Sequence, residues 1–288
     1  MHEGVGPVPQ RYTTGGAGSA LSCKFTDERE NGTMSDAIKR TVEGKVAVIT
    51  LDAPPVNALD SSAYFDLYEA MYDFAVDDSI SVVVITGAGE RAFMAGADVK
   101  EFLKFNRQTG SIYTRKNSGV REYIRQFPKP VICAINGLAL GGGCALALAC
   151  DIRIACREAK FSLSEINMGI LGGIPYAASI IASGTARKMV YSGETITSDE
   201  ALRVGLVDEV VDRADLMPRC MQLAERIAAK SPLALKKAKE VMVTASENLM
   251  PEVMAAESAA ISDLWATEDK NEAVNAFLEK RKPEFQGK

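Results

Sequence analysis

From Val131 to Cys150 the chain carries no charged side chain, yet Asn136, Gly137 and the triplet Gly141-Gly142-Gly143 stand inside that run. An unbroken apolar stretch of this length would read as a membrane helix. Glycines at its centre break it. The run predicts instead a buried strand over Val131 to Asn136, a glycine turn, and a buried helix from Gly142 to Cys150. A second segment repeats the arrangement. Ser81 to Thr86 is a buried strand, and a glycine-containing loop over residues 87–97 leads into a short helix near Val99 to Phe105.

Small residues in such turns let the backbone approach a ligand closely. The first turn of a helix leaves N–H groups without intrahelical partners and directed outwards. Two N–H groups converging on one oxygen make an oxyanion hole, and removing one such donor typically costs about 3–4 kcal/mol of transition-state stabilisation. Taken singly, either glycine segment reads as tight packing. Taken together, with an acidic residue following at Glu165, they read as a site. The stretch Gly87-Ala88-Gly89-Glu90-Arg91-Ala92 also fits a dinucleotide fingerprint. That fingerprint should open a helix directly, and no acid stands about 20 residues on, where a ribose-binding group belongs.

Elsewhere, Val46 to Leu51 and Ile152 to Ala155 read as strands. A helix after Asp60, its N-cap, places Tyr64, Leu67, Tyr68, Met71 and Phe74 on one face. Beyond about Gly172 the chain turns mostly helical. Thr197 and Glu200 make a capping box, Gly205 a stop, Asp215 a cap for the face Leu216, Cys220, Leu223 and Ile227, and Ser231-Pro232 a further start. The last helix spans roughly Glu268 to Lys280. Strands alternating with helices, then helices alone, predict an α/β core with a helical C-terminal region.

Composition removes several function classes. The net charge of -5 gives nucleic-acid binding no electrostatic support. The single histidine, His2, lies in a tail, which excludes histidine-based triads and metal sites. The six cysteines form no C-x-x-C pair and read as reduced, buried thiols of a cytoplasmic protein. No metal and no separate cofactor is expected, and no membrane partner. Residues 1–35 lack an apolar period and read as a flexible extension, with Met34-Ser35-Asp36 resembling a natural start. Residues 36–205 are expected to form the core and 206–288 the helical region.

Four segments carry a family resemblance: Pro54-Pro55-Val56-Asn57-Ala58-Leu59; Ala92-Phe93-Met94-Ala95-Gly96-Ala97-Asp98-Val99-Lys100; Gly137 to Asp151 with Phe161-Ser162-Leu163-Ser164-Glu165-Ile166; and Ala276 to Pro283. In this order they resemble the crotonase superfamily, the enoyl-CoA hydratases and isomerases, over nearly everything from about residue 40. The resemblance implies a spiral of ββα units whose C-terminal helices mediate a homotrimer, often doubled to a hexamer. It implies an acyl-CoA substrate, coenzyme A being part of that substrate. It makes the backbone N–H groups of Ala97 and Gly142 the oxyanion hole. It also puts Ala58, Ala95, Asp98, Val99 and Gly173 along the substrate, with Phe277 and Lys280 reaching CoA from a neighbouring subunit.

Hydratases of the family resemble one another in having two glutamates. This sequence keeps one, Glu165, and has Ala145 at the other position. Two carboxylates can hold a water and divide acid and base work, whereas one can still move a proton between carbons. The resemblance to the isomerases therefore implies double-bond migration, with Glu165 removing a proton alpha to the thioester and returning it at the gamma carbon. The alternatives are a one-glutamate hydratase, a hydroxycinnamoyl-type hydratase-lyase, a malonyl-type decarboxylase, and a catalytically silent acyl-CoA-binding protein of the same fold. The segment Leu171-Gly172-Gly173-Ile174-Pro175-Tyr176 departs from the family pattern and leaves the acyl group open.

Overall fold

The computed structural model describes residues 36–103, 105–246 and 267–288. The extension over residues 1–35, with Cys23, lies outside the described residues. The chain begins with an antiparallel pair, β1 (Ile38–Glu43) and β2 (Val46–Leu51). Helix α1 (Ser61–Val76) follows, started by Asp60, whose side chain accepts from the Ala63 N–H at 2.8 Å. Then come β3 (Val82–Gly87), β4 (Ala92–Met94), α2 (Val99–Phe102) and α3 (Arg107–Arg125). Next are β5 (Val131–Ile135), β6 (Leu138–Leu140) and α4 (Gly142–Ala149). After β7 (Ile152–Cys156) and β8 (Lys160–Ser162), a 3₁₀ turn over Ser164–Met168 leads to α5 (Ile174–Ile180) and α6 (Ser183–Ser192). The remaining elements are β9 (Ile196–Thr197), α7 (Ser198–Arg203), β10 (Glu209–Val211), α8 (Leu216–Ala228), α9 (Pro232–Ala245) and α10 (Glu268–Glu279).

The strands fall into two sheets, β1-β2-β3-β5-β7-β10 and β4-β6-β8-β9. Apart from β1 with β2 and β8 with β9, the pairings are parallel. Each turn of the chain lays one strand in the large sheet, the next in the small sheet, and then a helix. β3-β4-α2, β5-β6-α4 and β7-β8-α5 are three such turns, which is the ββα spiral that the family resemblance implied. Parallel strands covered on both faces should be apolar throughout, and all six residues of β3 and all five of β5 are buried.

The uncharged run is the centre of this core. Its glycines separate β5, β6 and α4 as expected, with β6 an added short strand that the sequence reading took as part of the turn. The described elements also include β4 and β8, three-residue strands too brief to show a period, and β1, of which only Ile38 is buried. The largest difference is α3, a segment to which the sequence reading assigned no element. Its signals were present: Asn106 and Thr109 form a reciprocal capping box, and Asn117, Val120, Arg121 and Ile124 are buried on one face. Two polar residues on that inward face hid the helical period. In α8 the buried face is Leu216, Cys220, Ala224 and Ala228, with Leu223 and Ile227 half-buried beside it.

Helix α9 is anchored by a buried cation. Lys239 Nζ meets Asp151 Oδ2 at 2.7 Å and the carbonyls of Lys129 and Ile124 at 3.1 and 3.3 Å. The cysteines at 133, 144, 150, 156 and 220 are all buried thiols. Among the described residues no helix is long and apolar enough to cross a membrane, and no group of three metal-ligating side chains occurs.

Candidate active site

The two glycine segments meet. Leu59 forms a parallel bridge with Ala97: the Leu59 N–H donates to the Gly96 carbonyl at 3.1 Å, and the Asp98 N–H donates to the Leu59 carbonyl at 3.0 Å. Both bonds belong to Leu59, so the Ala97 N–H points to the opposite side. On that side lies the start of α4. Gly142 is its first residue, and the N–H there has no acceptor within its own helix. A Cβ placed on Gly142 would stand 3.8 Å from the Ala97 nitrogen, and one on Gly96 would stand 3.6 Å from the Gly142 nitrogen. Gly96 has φ +94, a conformation that L side chains rarely adopt. Backbone this close brings the nitrogens of Ala97 and Gly142 near one another, as an oxyanion hole would require.

Two asparagines hold the segment that leads to Ala97. Asn57, itself at φ 55, donates from Nδ2 to the carbonyls of Ala88 and Ala92 at 3.0 and 2.8 Å and accepts from the Ala53 N–H at 3.1 Å. Asn136 donates to the carbonyls of Gly87 and Gly89 at 2.9 and 2.7 Å. The stretch that resembled a dinucleotide turn is thus a stapled loop between β3 and β4, and no helix opens from it.

Glu165 arrives from the neighbouring turn of the spiral. β6 and β8 pair with Leu140 opposite Ser162, and the Gly141 N–H donates to the Ser162 carbonyl at 2.8 Å. The 3₁₀ turn that follows carries Glu165 back over the glycines. A Cβ on Gly141 would lie 3.3 Å from its Cδ. Glu165 Oε2 is buried and has no hydrogen-bond partner among the described residues. Burial raises the carboxyl above the ordinary glutamate value; a backbone hydrogen bond and the Arg121 guanidinium pull the other way without cancelling it.

These parts enclose a cavity of about 130 Å³. Ala95, Ala97, Val99, Gly142 and Glu165, all named from sequence, line it. Among its described lining residues Glu165 is the sole carboxylate. Ala145 is fully buried, and a Cβ on Gly173 would stand 2.9 Å from the Ala145 Cβ. Gly173 itself borders an adjoining cavity of about 560 Å³. Ala58 and Asp98 flank the Leu59–Ala97 bridge outside the cavity lining, and Lys280 is exposed beyond α10. The side chain of Phe277 lies outside the described residues.

Sequence reasoning missed the opposite wall. Tyr113, Asn117 and Arg121 follow one another at intervals of four along α3 and all face the cavity, with Tyr64 of α1 beside them. A Cβ on Gly142 would come within 2.9 Å of the Tyr64 hydroxyl. Burial pushes that hydroxyl up to about 12, so it stays a neutral donor. The four-residue spacing was the signal available in the sequence.

Residues 41–288 match the family model described as Enoyl-CoA hydratase/isomerase. A short-chain-enoyl-CoA hydratase of Clostridium acetobutylicum is 37% identical over 84% of this chain and 94% of its own length. A 2,3-dehydroadipyl-CoA hydratase of Escherichia coli is 39% identical over 85% of this chain and 96% of its own. Among solved structures, an enoyl-CoA hydratase from Bacillus anthracis superposes with a TM-score of 0.85 at 33% identity, covering 88% of this chain and 100% of that one.

Proposed function

The chain belongs to the enoyl-CoA hydratase/isomerase family, whose members act on acyl-CoA thioesters, and from that premise we propose that it moves a double bond along an enoyl-CoA. The thioester oxygen would sit between the N–H groups of Ala97 and Gly142. As the proton leaves the alpha carbon, negative charge builds on that oxygen, and two fixed donors stabilise it most where it is greatest. Glu165 would take the alpha proton and return it at the gamma carbon of the dienolate. The observation that carries this reading is Glu165, the sole carboxylate among the described lining residues, with one oxygen buried beside the glycines and without a partner among the described residues. Burial holds the proton on this carboxyl to higher pH than on an ordinary glutamate, which suits a group that must take up a proton and give it back.

Hydration is the second reading. The printed names of the relatives favour it, since several are hydratases. Glu165 alone would then activate the water and protonate the alpha carbon, because Ala145 offers no acid. Incubation with 3-enoyl-CoA and separately with 2-enoyl-CoA in deuterated water, followed by NMR and mass spectrometry, separates the two. Isomerisation predicts double-bond migration from 3-enoyl-CoA without 3-hydroxyacyl-CoA, lost in Glu165→Gln. Formation of 3-hydroxyacyl-CoA from 2-enoyl-CoA establishes the hydratase. Thioester binding with no turnover of either would leave a silent binder.

The same reading makes the assembly a trimer or hexamer in which Phe277 and Lys280 reach the CoA of a neighbouring copy. Sedimentation equilibrium tests the assembly. Lys280→Ala should raise KM for acyl-CoA while leaving kcat nearly constant.

A further inference from the structure

Three residues that line this one cavity each carry a buried polar atom without a hydrogen-bond partner among the described residues: Glu165 Oε2, Tyr113 Oη and Arg121 Nε. The first belongs to the proposed chemistry. The other two are donors, and nothing in that chemistry uses them. Arg121 is only 8% exposed. The side-chain partners of its guanidinium are neutral oxygens, Ser118 Oγ at 3.1 Å and the Tyr64 hydroxyl. The adjacent acid, Glu122, is engaged by Arg125 through bonds of 2.9 and 2.5 Å. A guanidinium withdrawn from water is costly to leave unpaired, and buried charges are ordinarily met by an opposite charge. Glu165 lies within electrostatic reach, but it must surrender its charge each time it takes up a proton.

We propose that Arg121 and Tyr113 bind a carboxylate at the far end of the acyl chain, so that the substrates are CoA monothioesters of short dicarboxylic acids. A carboxylate accepts from both donors, and guanidinium geometry suits it. Tyr113 and Arg121 lie two helical turns apart on one face of α3, with Asn117 between them, and form a polar wall in an otherwise small-residue and apolar site. Arg121 also borders the adjoining cavity of about 560 Å³, which gives the chain end room beyond the reacting carbons. This inference rests on the acyl-CoA reading above and deepens it.

Binding of unreactive saturated thioesters tests it independently of which reaction occurs. Glutaryl-CoA and pentanoyl-CoA differ by a carboxylate in place of a methyl group, as do adipyl-CoA and hexanoyl-CoA. Calorimetric Kd values should favour the carboxylate in at least one pair by about 10- to 100-fold. That preference should collapse in Arg121→Met and survive in part in Arg121→Lys, which keeps the charge and guards against simple misfolding. Tyr113→Phe should reduce it more modestly. Binding of both members of each pair with no preference for the carboxylate overturns the inference while leaving the acyl-CoA reading intact. An equal loss for both members in Arg121→Met also overturns it and makes Arg121 a positioning residue for Glu165 or Tyr64. Failure of every thioester to bind removes the acyl-CoA reading and the inference with it.

Discussion

Gly172 stands directly against the Glu165 carboxyl group: a methyl group on Gly172 would lie 2.8 Å from Glu165 Cδ and closer still to Oε1. The nearest atoms are the end of a flexible side chain, so the fold can yield where the catalytic geometry cannot. Gly172→Ala should lower kcat by about 100-fold, the usual consequence of displacing a reacting group by an ångström. The melting temperature should stay near that of the wild type. A variant that keeps full kcat would mean that Glu165 has no fixed position to lose.

The raised pKa of Glu165 has two consequences with opposite signs. Proton abstraction needs the ionised carboxylate, so kcat/KM should fall as pH drops through a value above the ordinary glutamate pKa of about 4.3. For stability, the native state keeps this proton to higher pH than the unfolded chain does. Its contribution is complete below the unfolded value and is lost as pH rises through the raised one. Glu165→Gln should therefore melt above the wild type at neutral pH, with the gap closing in acid, while turnover falls by about 10²- to 10⁴-fold. Thermal melts at several pH values, set beside the rate profile, check both.

Ala145 should resist conversion into a second acid. It is fully buried, with Gly173 backed onto its side chain. Ala145→Glu adds volume and a carboxyl group to closed space and should cost at least about 2 kcal/mol in denaturant unfolding. It should bring no gain in hydration of 2-enoyl-CoA. A stable variant with increased hydration would favour the two-carboxylate chemistry.

Asn57 joins structure to site. Its side chain ties Ala53, Ala88 and Ala92 together from a left-handed backbone position. Asn57→Ala loses these bonds and also strains the backbone, and should cost about 2–4 kcal/mol. Asn57→Gly relieves the strain alone and should fall between. Since this loop leads to the Ala97 N–H, both variants should lose kcat in the same order as they lose stability.

The sequence by itself determined the core and the family of this protein. An uncharged run broken by glycines can only be a buried strand, turn and helix, and its pairing with the Ala95–Asp98 turn and Glu165 identified the elements that line the cavity. Caps at Asp60, Thr197 and Ser231 were readable because a cap is a local hydrogen bond. What the tertiary structure alone decided was convergence. Tyr64 and Arg121 lie far apart in the chain and look like parts of ordinary helices. The stripe Tyr113, Asn117 and Arg121 was invisible as a face because it is polar where a core-facing helix should be apolar. Gly172 reads as one more flexible residue until the 3₁₀ turn brings Glu165 against it. Local patterning records which residues are buried; which buried groups meet depends on the winding of the spiral, and a polar wall facing an enclosed site lacks the apolar period that marks a core-facing helix.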